Sequence, residues 1–353
     1  MTPVSQFGPA LKVESSFSAP EIRWLDAATP CFRLYGLTRD ENGYKRMDSQ
    51  VAAAVSEDVL SLHRHTSGGR LTFETDSDYM AINVKTRPAQ TSTMPATTVS
   101  GFDVYLVRED GMEFVNIFKP PVDFTDGYQD IFYFREKGPH RVVLHFPLYN
   151  AVEALSIGLR QTANICPYTP YPAQPPIVFY GSSITQGACA SRPGNSYCSM
   201  VAQKLRRDYL CLGFSGSAHG EEAMAEYIAS LPMSALVLDY DHNDCDNLAA
   251  FSQRHPRFYQ IIREKHPHLP ILIMSAPYAA KTFYESHPAN SLAIIKKTYR
   301  QAKAKGDRVA FLNTCALFRD FRDAALTDRI HPGDFGHVLM AKGVLRALAR
   351  ILL

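Results

Sequence analysis

Long apolar runs are missing from this chain. No stretch of about 18 residues is apolar enough to read as a bilayer-spanning helix. An excess of one charge is missing too. The 37 Lys and Arg nearly balance the 35 Asp and Glu, and a formal net charge of +2 offers no field for nucleic acid or an anionic membrane. Cysteine is scarce and scattered. The seven, at 31, 166, 189, 198, 211, 245 and 315, form no Cys-x-x-Cys pair and read as free thiols in a reducing compartment. Met1 to Ser18 lacks the basic and apolar regions of a secretory signal. Together these predict a cytoplasmic protein. The one tryptophan, Trp24, falls in a candidate strand and reads as core rather than as a sugar-stacking platform.

What is present is an ordinary globular composition, 46% hydrophobic and 20% charged, over 353 residues. That length favours two domains over a single core. The first half reads as short strands: Ile22 to Leu25, Cys31 to Leu37, Arg70 to Thr75, Tyr79 to Lys85, Phe102 to Val107, Phe114 to Phe118, Arg141 to Phe146 and Leu155 to Leu159. Glu109-Asp110-Gly111-Met112 supplies a hairpin turn. Asp48 to His63 is the one helical candidate, and His63 and His65 read as part of a solvated loop. Many short strands with Gly, Pro and Asp between them predict an antiparallel β-sandwich, jelly-roll-like.

Residues 167–176 carry five prolines and follow Cys166. Proline fixes φ and removes a donor, so this stretch predicts a stiff linker between domains 1–166 and 177–353. Beyond it the period changes. Apolar strands at Ile177 to Tyr180, Tyr209 to Phe214, Ala235 to Tyr240, Ile271 to Met274 and Val309 to Leu312 alternate with helical patterns. Those patterns are a helix capped by Ser196, Glu221 to Ser230, Asn247 to Lys265 with a break at Pro256, and Asp334 to Leu352. The alternation predicts an α/β domain, a parallel sheet covered on both faces.

Chemistry-bearing residues gather at the strand exits. Gly181-Ser182-Ser183-Ile184-Thr185-Gln186-Gly187 follows the first strand and presents Ser183 as a nucleophile. Gly213-Phe214-Ser215-Gly216-Ser217-Ala218-His219-Gly220 follows the second. Ser215 there lacks the glycine spacing of a nucleophile elbow, and His219 has no carboxylate three residues before it. Asp241 to Asn247 follows the third and is rich in metal-ligand types. Adjacent residues converge poorly on one ion, though, so Asn243 reads as a hydrogen-bond donor and no metal is expected. Asp328 and His331 lie three apart before a proline. On a tight turn that spacing sets the carboxylate on Nδ1–H and leaves Nε2 to take a serine proton.

These four blocks resemble those of the SGNH (GDSL-type) esterase superfamily. Gly181-Ser182-Ser183-Ile184 stands for Gly-Asp-Ser-Leu, Gly216 for the second-block glycine, Asn243 for the third-block asparagine, and Asp328 with His331-Pro332 for the last block. Gly101-Phe102-Asp103-Val104-Tyr105 is similar to the Gly-x-Asp-Leu-Tyr motif of a sandwich domain preceding the hydrolase in one branch. The resemblance implies a three-layer, flavodoxin-like hydrolase domain. It implies Ser183 as nucleophile, His331 as base and acid, Asp328 as its orienter, and an oxyanion hole from the Ser183 and Gly216 N–H groups and Asn243. It also implies a short-chain acyl esterase, acetyl above all, acting on a carbohydrate or small hydroxylated substrate with no cofactor. A homo-oligomer stays open. Two positions depart from the pattern: Ser182 replaces the first-block acid, and Asp241 replaces a glycine two before Asn243. Asp241 leaves a competing expectation, an impaired site that only binds glycan. A metal-dependent phosphoesterase built on Asp241 to Asp246 ranks last.

Overall fold

The computed structural model describes residues 21–241, 243–244, 247–277 and 287–352. The first part is two facing antiparallel sheets. One runs, in spatial order, Ile22–Asp26, Ala154–Arg160, Tyr79–Lys85, Tyr128–Tyr133. The other runs Ile165–Cys166, Arg70–Thr75, His140–His145, Phe102–Val107, Met112–Phe118, with Arg33–Tyr35 added beside Arg70–Thr75. Alternate residues of both, among them Phe73, Val104 and Val142 from one and Ile82, Leu155 and Ile157 from the other, close a shared core. This is the expected sandwich. No helix or strand occupies residues 167–176.

The second part is one parallel sheet in the spatial order Tyr209–Gly213, Ile177–Gly181, Ala235–Asp239, Ile271–Met274, Val309–Leu312. Successive residues of each strand feed opposite cores. Val178 and Tyr180 pack under helices Glu222–Ser230, Leu248–Lys265 and His287–Ala304. Ile177 and Phe179 pack under Tyr197–Leu205 and Asp334–Ala349. In chain order the strands run 2-1-3-4-5, which reverses direction between the first and third strands. Open α/β sheets bind ligands at that switch point. The register brings Gly181 level with both Gly213 and Asp239, so three strand exits open side by side.

Several expectations need correction. Asp48 to His63 is not one helix but two, Ser49–Val55 and Glu57–Leu62. Ser56 separates them in extended conformation (φ −170°, ψ 163°), and its side chain caps the second on Val59 N–H. Pro256 does not break its helix, which runs unbroken from Leu248 to Lys265. Proline costs it one backbone bond, but Phe251, His255, Phe258 and Ile262 anchor both sides of that position in the core. His63 and His65 are not in a solvated loop. His63 is buried against Ser49 Oγ at 3.0 Å, and His65 Nδ1 accepts from Gln186 at 3.0 Å. Trp24 is half-buried rather than core. Strand Tyr128–Tyr133 and helix His287–Ala304 were not anticipated.

Candidate active site

At the first strand exit Gly181 has no room for a Cβ, which would lie 2.1 Å from Thr185 Oγ1 and 2.3 Å from Asp239 O. This close approach lets the chain turn at once into the short helix Ser183–Gln186, capped by Ser182 Oγ on Ile184 N–H at 3.1 Å. Ser183 opens that helix and is 7% exposed. Its carbonyl accepts from Gly187 N–H (3.0 Å), Ala188 N–H (2.9 Å) and the Tyr149 hydroxyl (3.0 Å). Tyr149 comes from the sandwich half, so both halves of the chain fix this backbone.

The Asp328 to His331 segment folds over the same edge. Ser183 Oγ lies 2.9 Å from His331 Nε2, and His331 Nδ1 lies 2.7 Å from Asp328 Oδ2. The other Asp328 oxygen accepts from His331 N–H at 2.8 Å and Ile330 N–H at 3.2 Å, the tight turn read from the three-residue spacing. Partial burial alone would raise the Asp328 pKa. The His331 N–H and imidazole outweigh it and hold the carboxyl below its ordinary value. The ring is thus set with Nδ1–H toward the carboxylate and Nε2 toward the serine.

The three expected oxyanion donors come from the adjacent exits. Among the described residues, no acceptor takes the N–H of Ser183 or Gly216. At Ser183 this is a normal consequence of opening a helix. Gly216 sits at φ +70°, a conformation that favours glycine, and a Cβ there would point into open space. Assigning the Asn243 amide from its surroundings sets Oδ1 to accept from Ala218 N–H at 2.9 Å and Ser217 N–H at 3.2 Å, and this orientation leaves Nδ2 as a donor on the other side. Asp241, the departure from the family pattern, is buried at the same exit.

The metal-like stretch offers no ion cradle where it is described. Asp244 is engaged by His219 Nδ1 at 2.9 Å and by Arg254 at 2.8 Å to each oxygen. His219 therefore does have a carboxylate partner, from the next loop rather than from its own turn, and its pKa is raised mainly by that bond. His242, Cys245 and Asp246 lie outside the described residues. Ser215 is a support: its N–H donates to Gln186 Oε1 at 3.1 Å.

Several supporting residues gave no signal in the sequence. Gln186 ties the short helix of Ser183 to Ser215, to Leu148 O (3.1 Å) and to His65. Asp239, fully buried, accepts from Thr185 Oγ1 at 3.0 Å and Tyr197 OH at 2.9 Å beneath Ser183. His337 donates from Nε2 to Ala188 O at 3.0 Å and accepts Tyr197 N–H at 3.3 Å, joining the last helix to the turn after Ser183. The Asp103 and Tyr105 of the sandwich motif form a clamp. Asp103 Oδ2 accepts from Arg192 at 2.7 Å and from Gly194 N–H at 2.9 Å, and Tyr105 OH meets the same guanidinium at 2.5 Å. Burial pushes Asp103 up to about 6 against the pull of Arg192 and the Gly194 N–H.

No curated protein matches the chain. The model of the GDSL-like lipase/acylhydrolase family matches residues 174–349, and that of the GxDLY N-terminus of SGNH-hydrolase-type esterases matches residues 22–165. Among solved structures, a candidate GDSL-like lipase from Bacteroides ovatus superposes with a TM-score of 0.84 at 24% identity, over 94% of this chain and 98% of that one. The salicylyl-acyltransferase SsfX3 of a tetracycline biosynthetic pathway gives 0.77 at 22%, with the same coverages. A family two carbohydrate esterase from Cellvibrio japonicus gives 0.62 at 15%, again over 94% and 98%. No helix of the described residues is long and apolar enough to cross a membrane. Both halves of the chain, and the order of blocks along them, therefore make it a member of the SGNH (GDSL-type) superfamily in the branch with an N-terminal GxDLY sandwich, and a carboxylic ester hydrolase.

Proposed function

We propose that the chain hydrolyses short-chain acyl esters, acetyl first among them, on a carbohydrate or small hydroxylated substrate. Ser183 Oγ attacks the ester carbonyl while its proton passes to His331 Nε2. His331 returns that proton to the departing alcohol, leaving an acyl-serine. Water then enters by the same relay and frees the acid. Asp328 holds the tautomer and faces the imidazolium as it forms. The Ser183 and Gly216 N–H groups and Asn243 Nδ2 receive the oxyanion. The observation that carries this reading is the unbroken relay, 2.9 Å from serine to imidazole and 2.7 Å from imidazole to carboxylate.

The carbohydrate class is supported by likeness to the Cellvibrio esterase, and the acetyl group by a more distant one to an acetyl xylan esterase from Butyrivibrio proteoclasticus. The six described cysteines, all free, support a reducing, cytoplasmic setting. The same reading divides the chain into a sandwich over 1–166, a linker over 167–176 and the hydrolase over 177–353. A glycan-binding protein with a spoiled site is the weaker reading, because it has no use for an aligned relay.

Ser183→Ala decides between them. It should remove p-nitrophenyl acetate hydrolysis by about 10⁴-fold or more while circular dichroism stays unchanged, and a fluorophosphonate probe should label the wild type at Ser183. Unchanged turnover, or an unlabelled serine, refutes the assignment. A panel of acetylated sugars then ranks substrates by kcat/KM.

A further inference from the structure

We propose that Cys189 makes the Asp328–His331 pair a binding site for a thiophilic divalent cation of the Zn²⁺ or Cd²⁺ kind, whose arrival stops hydrolysis. Cys189 is six residues past the candidate nucleophile, on the turn leaving its short helix. One ligand atom each from Cys189, Asp328 and His331 lies within 4.8 Å of the other two. Thiolate, carboxylate and imidazole are the donor set that zinc prefers, and an ion about 2.0–2.3 Å from each holds them about 3.5 Å apart. The present spread closes to that with a shift of about 1 Å. Two donor anions neutralise the dication, and the fourth tetrahedral position is left to solvent.

The thiol's place is set from two sides. Cys189 adopts φ +63°, uncommon for a residue with a side chain, and its Sγ reaches Thr93 O of the sandwich half at 3.6 Å. It is 7% exposed, and the His331 and Asp328 side chains beside it are 23% and 25% exposed, so an ion can reach the three donors. Binding displaces the thiol proton to solvent. The metal also takes an imidazole lone pair. If it takes Nε2, the base that accepts the Ser183 proton is gone. If it takes Nδ1, the remaining proton sits on Nε2 and the tautomer is wrong. Either way the relay stops, and a chelator restores it.

The inhibitory half of this inference rests on the proposed roles of Ser183 and His331, whereas the binding half does not, so they are read separately. Cd²⁺ is titrated into the full chain, following the ultraviolet thiolate-to-cadmium band and ester hydrolysis together. The wild type should show a saturable band with parallel loss of activity, reversed by EDTA. Cys189→Ser and Cys189→Ala should keep basal activity, lose the saturable band and need at least about tenfold more metal for the same inhibition. A wild type without the band, or variants inhibited as the wild type is, overturns the site while leaving the hydrolase reading intact. A band at Cys189 in a protein inactive on every ester supports the site and sinks the hydrolase reading instead.

Discussion

Asn243 shows how one side chain serves two ends. In the amide orientation that its neighbours favour, its Oδ1 takes the Ser217 and Ala218 N–H groups of the loop carrying Gly216, and its Nδ2 is left as a donor. Removing one oxyanion donor costs about 10²–10³ in kcat, some 2.7–4 kcal/mol. Asn243→Ala should lose that much with KM nearly unchanged. Asn243→Asp keeps an oxygen for the two N–H groups yet has no donor, so it should fall at least as far. If the aspartate variant retains wild-type kcat in steady-state assays, the residue only shapes the loop. At this scale the sequence was legible where chemistry is local. Asp328 and His331 meet because they stand three apart on a tight turn, and Ser183 is placed at its strand exit. Gln186, Tyr149, Asp239 and His337 were not legible, because each acts on a partner brought from a distant segment. Tyr149 reaches Ser183 across 34 residues and His337 reaches Ala188 across 149.

Among the elements, the strand Phe102–Val107 links the two halves of the chain. Its motif carries Asp103 and Tyr105 to one guanidinium, Arg192, which also lies 3.8 Å over the ring of Phe114. Gly194 completes the contact, since a Cβ there would lie 2.2 Å from Tyr105 OH. The carboxylate is fully buried and the guanidinium side chain 20% exposed. Truncating one member of such a pair strands the other, at about 3–5 kcal/mol. Asp103→Ala should lower the unfolding free energy by that order in urea denaturation, and Asp103→Ala with Arg192→Met should lose less than the two single losses summed. Additive losses would mean the clamp contributes no coupling. The motif was visible in the sequence but its purpose was not, since Arg192 lies 89 residues away in an unremarkable loop. The periodic elements were readable for the opposite reason. Arg70–Thr75, Tyr79–Lys85 and Ile271–Met274 bury residues in patterns fixed by their own sheet. Ser56 and Pro256 misled because local propensity was outweighed, in one case by a cap and in the other by a packed helix face.

Across the whole molecule, imidazoles sealed in the hydrolase core tie stability to pH. His255 donates or accepts at Thr298 Oγ1 (2.9 Å) and His337 bridges Tyr197 and Ala188; they are 1% and 0% exposed. Burial lowers their pKa values to about 3 and about 4. In the unfolded chain each would take a proton near pH 6.5. Between pH 6.5 and about 4 the unfolded state thus binds more protons than the folded one, and stability must fall as pH falls through that window. Asp103 runs the other way. Its folded pKa of about 6 lies above its unfolded value, so acidification through pH 6 favours the folded state at that one site. Burial also lowers the pKa values of His65 and His145, which act with His255 and His337, and raises those of Asp130 and Glu221, which act with Asp103. The imidazoles leave a net loss, each contributing at most about 3 kcal/mol by pH 4. The melting temperature should therefore drop steadily from pH 7 to pH 4.5. His255→Gln, which cannot take up a proton, should melt lower at pH 7 but lose less on acidification. A variant whose melting temperature follows the wild-type pH slope would show that the acid sensitivity arises elsewhere.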